Sequence, residues 1–492
     1  MKFTEIADYH VRPGKMTSWS VVPDGSAEPE ADGRPPSHLQ EAHVRERSAP
    51  GADEPTWLAI GFELPGPLRE SALRAALLRW VDRHETLRSA LSLQQDRVRR
   101  RTWPAGSLAV ERRDVGEYTW PERIASRLSE LFTAHTDPTG WPSFVCATIA
   151  RPDSATVCLA FDHGNVDGYS ILLVAQEVRE LYAAELAGRP AELAEVGSYV
   201  DFCAQERVFT DGFERTDDVV VSWRDFITRC GGELPRFPLP LTANLPAVSE
   251  VDDEPPEPLR QRGFCRRLLD AEEADAFETA CRRHGGSVYS GVLATLSTVA
   301  NLMSANTTFR TLLLLHTRSA REWARSMGWF VGLAPLELAT PERLSGGSDV
   351  LDLLPAAGEA LRAAKPLSAV PLPKVAELLG GPLEPRFVLS YIDMRSSPGA
   401  GEWAEWGAHA LHAPATSTDE VYLWVNRNHE GIDVTSRFPG TSAAAAVLDD
   451  YAQRVRGLLR AVVSAGIADA IPPMWTNGAR SAADSASTSV RR

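Results

Sequence analysis

What this chain lacks narrows its possibilities first. Of 492 residues, six are cysteine (Cys146, Cys158, Cys203, Cys230, Cys265 and Cys281). No two form a C-x-x-C and none shows metal-ligand spacing, so reduced, buried thiols in a cytoplasmic protein are expected. No long hydrophobic run is present. Residues 171–186 (ILLVAQEVRELYAAEL) are broken by glutamates and an arginine, well short of the roughly 20 apolar residues a membrane span needs. Residues 1–14 (MKFTEIADYHVRPG) lack the apolar core of a signal peptide. Positive charge is scarce too: 51 Lys and Arg face 66 Asp and Glu, a formal net charge of -15. That balance argues against nucleic acid, whose binding depends on cations that neutralise phosphates, and disfavours an anionic membrane surface. G-x-S-x-G, Walker and G-x-G-x-x-G motifs are absent, which removes the grounds for a serine hydrolase, a nucleotide hydrolase or a dinucleotide enzyme. His409 and His412 have no cysteines or acidic cluster beside them, so neither zinc nor a bound cofactor is expected.

What is present centres on residues 161–170, FDHGNVDGYS. The run before it (ATVCLAF, 155–161) is apolar and strand-forming, and the run after it places apolar residues at helical spacing, so the reading is strand, tight turn, helix. If Val157, Leu159, Phe161 and His163 share one strand face, Asp162 points to the other. Imidazole titrates near neutrality, which suits His163 to take a proton from a hydroxyl or amine and return it within one cycle. On spacing alone, a histidine at a strand end is more often a satisfied structural residue. Asp167 could orient the imidazole or pair with an arginine and hold the turn.

The H-x3-D-G pattern after a strand and before a helix resembles the His-His-x3-Asp-Gly signature of the condensation-domain and chloramphenicol-acetyltransferase superfamily of acyltransferases. Other stretches follow in that family's order: WVDRHETLRSAL (80–91), HTRSAREWARSMGWFVGLAPL (316–336), VPLPKVAELL (370–379) and FVLSYIDMR (387–395). A closer resemblance is to the actinobacterial polyketide-associated acyltransferases, in particular the trehalose-ester branch. It is carried by SWSVVP, PPSHLQEAHVR, LPRFPLPL, GWFVGL and VYLWVNRNHEGIDVTSRFPGT. The chain departs from the signature at Asp162, where the family has its first histidine. The resemblance makes the second histidine reactive, so His163 carries the assignment. Asp162, directed into the protein body, needs donors or a cation there.

The resemblance implies an α/β fold of mixed sheets, with two chloramphenicol-acetyltransferase-like lobes in a V around a central active-site channel. A chain of this length also exceeds a single ordinary core. The expected division is an N-terminal lobe over 1–215 carrying the motif, a C-terminal lobe over 216–474 and a disordered tail over 475–492. Proline-rich sequence from 235 to 258 reads as the connection between lobes. Expected strands include 156–163, 308–318 and 328–338, and expected helices include 70–83, 199–209 and 442–465.

The candidate catalytic set is His163, Asp167 and Gly168, the last as a backbone N–H donor to an oxyanion at the helix start. In the family Arg318 pairs with the motif aspartate, which makes Asp167 architectural; Asp162 and Arg318 are the supporting residues. Asn165, His316, Ser390, Tyr391 and Asn426 are the candidate channel residues. The basic run 96–101 (DRVRRR) reads as a solvated strand or turn, with docking of an acidic carrier or nucleotide phosphates as the alternative.

The expected function is transfer of an acyl group from coenzyme A or an acyl carrier protein, as a thioester substrate rather than a cofactor, to a hydroxyl of a sugar or polyol such as trehalose. No acyl-enzyme is expected, because no activated serine or cysteine adjoins the base. The alternatives are a free-standing condensation enzyme that forms an amide, and a non-catalytic domain that binds a carrier protein. Two lobes that complete one channel permit a monomer.

Overall fold

The computed structural model describes residues 1–52, 54–241, 259–342 and 346–468. The chain begins with β1 (Lys2–Glu5), β2 (Gly14–Pro23), β3 (Glu30–Asp32), α1 (His38–Arg47), β4 (Trp57–Pro65) and α2 (Glu70–Arg83). It continues through β5 (Ser89–Gln94), β6 (Arg97–Thr102), β7 (Leu108–Tyr118), α3 (Pro121–His135), β8 (Phe144–Ala150), β9 (Ser154–Asp162) and α4 (Gly168–Ala187). Helices α5 (Tyr199–Thr210) and α6 (Asp218–Arg229) lead to β10 (Leu259–Asp270), α7 (Ala271–Arg283), α8 (Val288–Ser304), β11 (Thr308–His316) and β12 (Val331–Ala339). Then follow α9 (Gly347–Ala364), α10 (Leu372–Leu379), β13 (Phe387–Asp393), β14 (His409–His412) and β15 (Thr416–Ser417). The last elements are β16 (Val421–Asn428), β17 (Gly431–Pro439) and α11 (Ser442–Ala468).

Two seven-stranded mixed sheets form the centres of two lobes. The first has the order β1-β14-β4-β9-β8-β2-β7 and the second β12-β11-β13-β16-β17-β10-β15, while β3, β6 and β5 make a small separate sheet. In the first sheet β9 is central and buried at every position, which is why its sequence is a nearly continuous apolar run rather than an alternation. Val157, Leu159 and Phe161 face a core shared with α2 and α4, whereas Cys158 and Ala160 face a core shared with α3. Each large apolar side chain buried in this way contributes about 1.5–3 kcal/mol of transfer free energy. Helices α7, α8, α9 and α11 pack on one face of the second sheet. On its other face, α6 and α10 bring Trp223, Phe226 and Val375 against Leu312 and Val388.

The observed elements differ from expectation where the site is built. β9 ends at Asp162, so His163 opens a 3-10 turn (His163–Asn165) instead of continuing the strand face of Phe161. β11 ends at His316 and leaves Arg318 beyond the strand. β12 begins at Val331, which frees residues 328–330 to reach the first lobe. The division at 215/216 does not follow the sheets. β14 inserts between β1, in parallel register, and β4, antiparallel, and Met394, Trp403, Trp406 and Ala410 join the first lobe's core. Residues 394–412 are therefore part of the first lobe, because their apolar side chains complete the face that α2 and α4 cover. Residues 242–258 of the expected connection, and the tail 475–492, lie outside the described residues.

Candidate active site

The turn that carries His163 is fixed from both ends. Asp162 caps it, its Oδ1 accepting the Gly164 N–H at 2.8 Å, and the Asp162 N–H bonds to the Ser143 carbonyl at 2.9 Å. Asp167 is the N-cap of the 20-residue helix α4 and accepts the Ser170 N–H at 2.6 Å. Side chains at such caps satisfy amides that have no partner within the helix.

Asp167 is also the meeting point of the lobes. Arg318 grips it as a fork, Nη1 to Oδ2 and Nη2 to Oδ1, both at 3.1 Å. The Phe330 N–H donates to Oδ2 at 3.1 Å. Arg318 also donates to Ser170 Oγ at 2.8 Å and to the Ser326 carbonyl at 3.1 Å, and its guanidinium stacks on Phe330. With the two side chains 4% and 2% exposed, this is a buried, bidentate, charge-assisted pair. Every Asp167 lone pair that counts is occupied, so this carboxylate has no capacity to move a proton for a substrate.

The loop before β12 is pinned to the first lobe residue by residue. The Met327 N–H reaches His84 Nδ1 at 3.5 Å, and Gly328 exchanges hydrogen bonds with Ser170 Oγ at 3.2 and 2.9 Å. The Trp329 carbonyl accepts from Tyr199 Oη at 3.1 Å. Residue 328 has to be glycine, since a Cβ there would lie 2.3 Å from the Tyr199 ring. The outcome is that Trp329, a second-lobe side chain, lies against the His163 imidazole with ring centroids 4.5 Å apart.

No other residue among those described hydrogen-bonds to the His163 ring. Its Nδ1 is enclosed and has no hydrogen-bond partner among the described residues, which leaves Nε2 as the nitrogen for a ligand. Burial pushes the imidazole below the ordinary histidine pKa; nearby His43 adds to that fall, while Asp162 and Asp167 oppose it. The ring is therefore neutral, and able to accept a proton, at neutral pH. Gly168, the first residue of α4, faces open space: a Cβ built there meets nothing within 4 Å.

The remaining sequence-selected residues separate. Asp162 is 1% exposed, and its Oδ2 accepts from His43 Nε2 at 2.9 Å and Thr56 Oγ1 at 3.2 Å. Asn165 is spent on structure, donating to Ser143 Oγ and accepting from Thr86 Oγ1, each at 2.8 Å. Ser390 shares a face of β13 with Val388 and Ile392, and Ile392 packs on the first lobe's core, so that face turns toward the lobe junction. Ser390 Oγ is buried there without a partner, and buried Asn426 stands beside Ile392 on the neighbouring strand. Tyr391 points to the opposite face and stacks on Tyr289 at 5.0 Å, so it belongs to the second-lobe core and not to a channel. His316 is exposed at the end of β11. The basic run forms β6, with Arg97, Arg99 and Arg101 exposed and Arg100 buried against Gln40 Oε1 at 2.9 Å. Among the described residues, no cluster of three or more His, Cys, Asp or Glu could hold a metal ion, and no helix is long and apolar enough to cross a membrane.

Sequence reasoning missed His43 and Trp329. Both lie inside stretches that carry the family resemblance, yet nothing local in either marks it as a neighbour of a turn more than a hundred residues away.

Comparison with known proteins gives the family and the fold. Residues 57–386 match the model of the condensation domain. The chain is 25% identical over 482 residues to "Acyltransferase PapA3" of Mycobacterium tuberculosis, covering 93% of this chain and 96% of that protein. It is 24% identical over 467 residues to "Trehalose-2-sulfate acyltransferase PapA2" of Mycobacterium bovis, covering 92% and 96%. Among solved structures, "PapA2 acyl transferase" matches with a TM-score of 0.82 at 23% identity, over 94% of this chain and all (100%) of that one. The condensation domain of the Monacolin K polyketide synthase MokA matches with a TM-score of 0.66 at 16% identity, over 87% and 98%.

Proposed function

The chain belongs to the condensation-domain family, and from that premise we propose that it is an acyltransferase carrying an acyl group from a thioester to a hydroxyl of a sugar or polyol such as trehalose. One observation carries the reading: of the three titratable groups in the turn, both carboxylates are committed to protein partners, and His163 alone keeps a nitrogen for substrate. The transferase names of the relatives, two of which print a sulfated trehalose, support a sugar acceptor.

His163 Nε2 takes the proton from the acceptor hydroxyl as its oxygen attacks the thioester carbonyl. The carbonyl electrons move onto oxygen, where the Gly168 N–H and the positive end of α4 stabilise the developing charge. When the tetrahedral intermediate collapses, the C–S bond breaks and the imidazolium returns the proton to the thiolate, giving an ester and a free thiol. The donor is an acyl-CoA or an acyl carrier protein, and no covalent acyl-enzyme forms. A fixed, desolvated imidazole that is neutral at neutral pH serves this step.

The test is a mass-spectrometric transfer assay with acyl thioesters against hydroxyl and amine acceptors, trehalose included, on wild type and His163→Ala. Ester product that falls about 10²- to 10⁴-fold in the variant is expected. Amide product alone would move the enzyme to the condensation reaction, and near-wild-type transfer by His163→Ala would remove the histidine mechanism.

A further inference from the structure

Asp162 occupies a position where the resembling signature has histidine, and it is the residue that sets the backbone on both sides of His163 through its own N–H and its bond to Gly164. A carboxylate 1% exposed requires compensation, and among the described residues its one titratable partner is His43 of α1, itself 6% exposed. Because the ionised carboxylate only accepts, His43 Nε2 is the donor in this bond. The same imidazole stands edge-on to Trp329, with ring centroids 5.7 Å apart and planes at 87°. Trp329 in turn lies 4.5 Å from the His163 ring. The contacts close a circuit: Asp162 holds the His163 backbone, Trp329 limits the plane of its ring, and His43 touches both.

We propose that His43 and Asp162 act as a positioning pair for His163, holding the base and its Trp329 wall in the geometry that transfer requires. The pair touches no reacting atom. This inference rests on His163 being the base of the proposed reaction, and it adds a role for a histidine in a helix 119 residues upstream of Asp162. Removing the His43 ring takes a donor from a buried carboxylate and a packing surface from Trp329 in one step. A pair that served stability alone would lower the melting temperature without changing turnover.

The experiment uses the full chain with His43→Ala and His43→Gln, Gln keeping an N–H donor. It measures kcat, KM for thioester and acceptor, thermal midpoint, and the rate at which diethyl pyrocarbonate modifies His163, followed by peptide mass spectrometry. His43→Ala is expected to lower kcat about 10- to 100-fold, the scale of loss for a displacement near 1 Å, with both KM values unchanged. It is also expected to alter the modification rate of His163. His43→Gln restores both. If His43→Ala does not fold, His43→Asn, which is polar but falls short of Asp162, takes its place. Unchanged kcat in the folded variant, or a kcat loss with His163 reactivity unaltered, overturns the proposal. Should the wild type transfer no acyl group, the functional reading fails, while the reactivity of His163 still tests the pair.

Discussion

Asp162 stands one residue before His163 and Asp167 four residues after it; each is 1% exposed, and each is held by a nitrogen base from a distant part of the chain. The partners differ in kind. Asp167 faces a guanidinium that comes from the other lobe and grips it as a two-pronged fork, whereas Asp162 faces an imidazole of its own lobe that offers it a single N–H. One pair is a permanent tie between lobes. The other is a local brace built on one hydrogen bond from an imidazole. The turn that carries His163 is thus anchored across the lobes at its helix end and within its own lobe at its strand end.

The comparison can be broken most forcefully at the tie. Arg318→Ala leaves Asp167 buried without its cation and is expected to cost about 3–5 kcal/mol, read as a lower urea midpoint. An unchanged midpoint would refute the assignment of the pair as an interlobe tie. Next in size is the contrast between Asp167→Asn and Asp162→Asn, measured in the same way. The first leaves a guanidinium that cannot discharge, and its cost approaches that of Arg318→Ala. The second breaks one carboxylate–imidazole hydrogen bond within a lobe and no fork between lobes, so its cost is the smaller loss of a hydrogen-bonded partner, about 1–3 kcal/mol. Equal costs would erase the distinction between the two partners.

A smaller effect is expected in the pH profile. Since burial depresses the His163 pKa, and the neutral ring is the active form, kcat/KM holds as pH falls through the ordinary histidine value near 6.5 and declines only below it. An acid limb above that value would mean that the site does not desolvate the imidazole. Least is expected for the stability of Gly168→Ala, whose methyl meets no atom within 4 Å, so its midpoint stays within about 0.5 kcal/mol of wild type. Transfer should still drop, because the methyl fills open space at the helix start, beside the N–H proposed to hold the oxyanion. Full activity would place the substrate elsewhere.

The strand, turn and helix around His163 were legible because they are local. Apolar runs of different period meet at a turn, and helix 70–83 has the observed bounds of α2 because Leu73, Ala76, Leu77 and Trp80 recur on one face. The pairing of Asp167 with Arg318 was legible only through the family resemblance. His43 was not, because nothing in a helix sequence says which of its faces meets a strand end 119 residues on. Tyr391 is expected in the channel with Ser390 but lies against Tyr289, because alternation tells which residues share a face, not which face the helices α7, α8, α9 and α11 cover. Asn165 was misjudged for a different reason: its amide is consumed by Thr86 and Ser143, neither of which is near it in sequence.

β14 has a consequence for the order of synthesis. The sheet that presents His163 has a gap between β1 and β4 that only residues 409–412 fill, and its core wants Trp403 and Trp406. While a ribosome is still making the second lobe, the first therefore waits with two strand edges unpaired and part of its apolar face uncovered. The turn that carries His163 has its full native support only once residues 394–412 have emerged, so the first lobe completes its sheet after most of the second has been made.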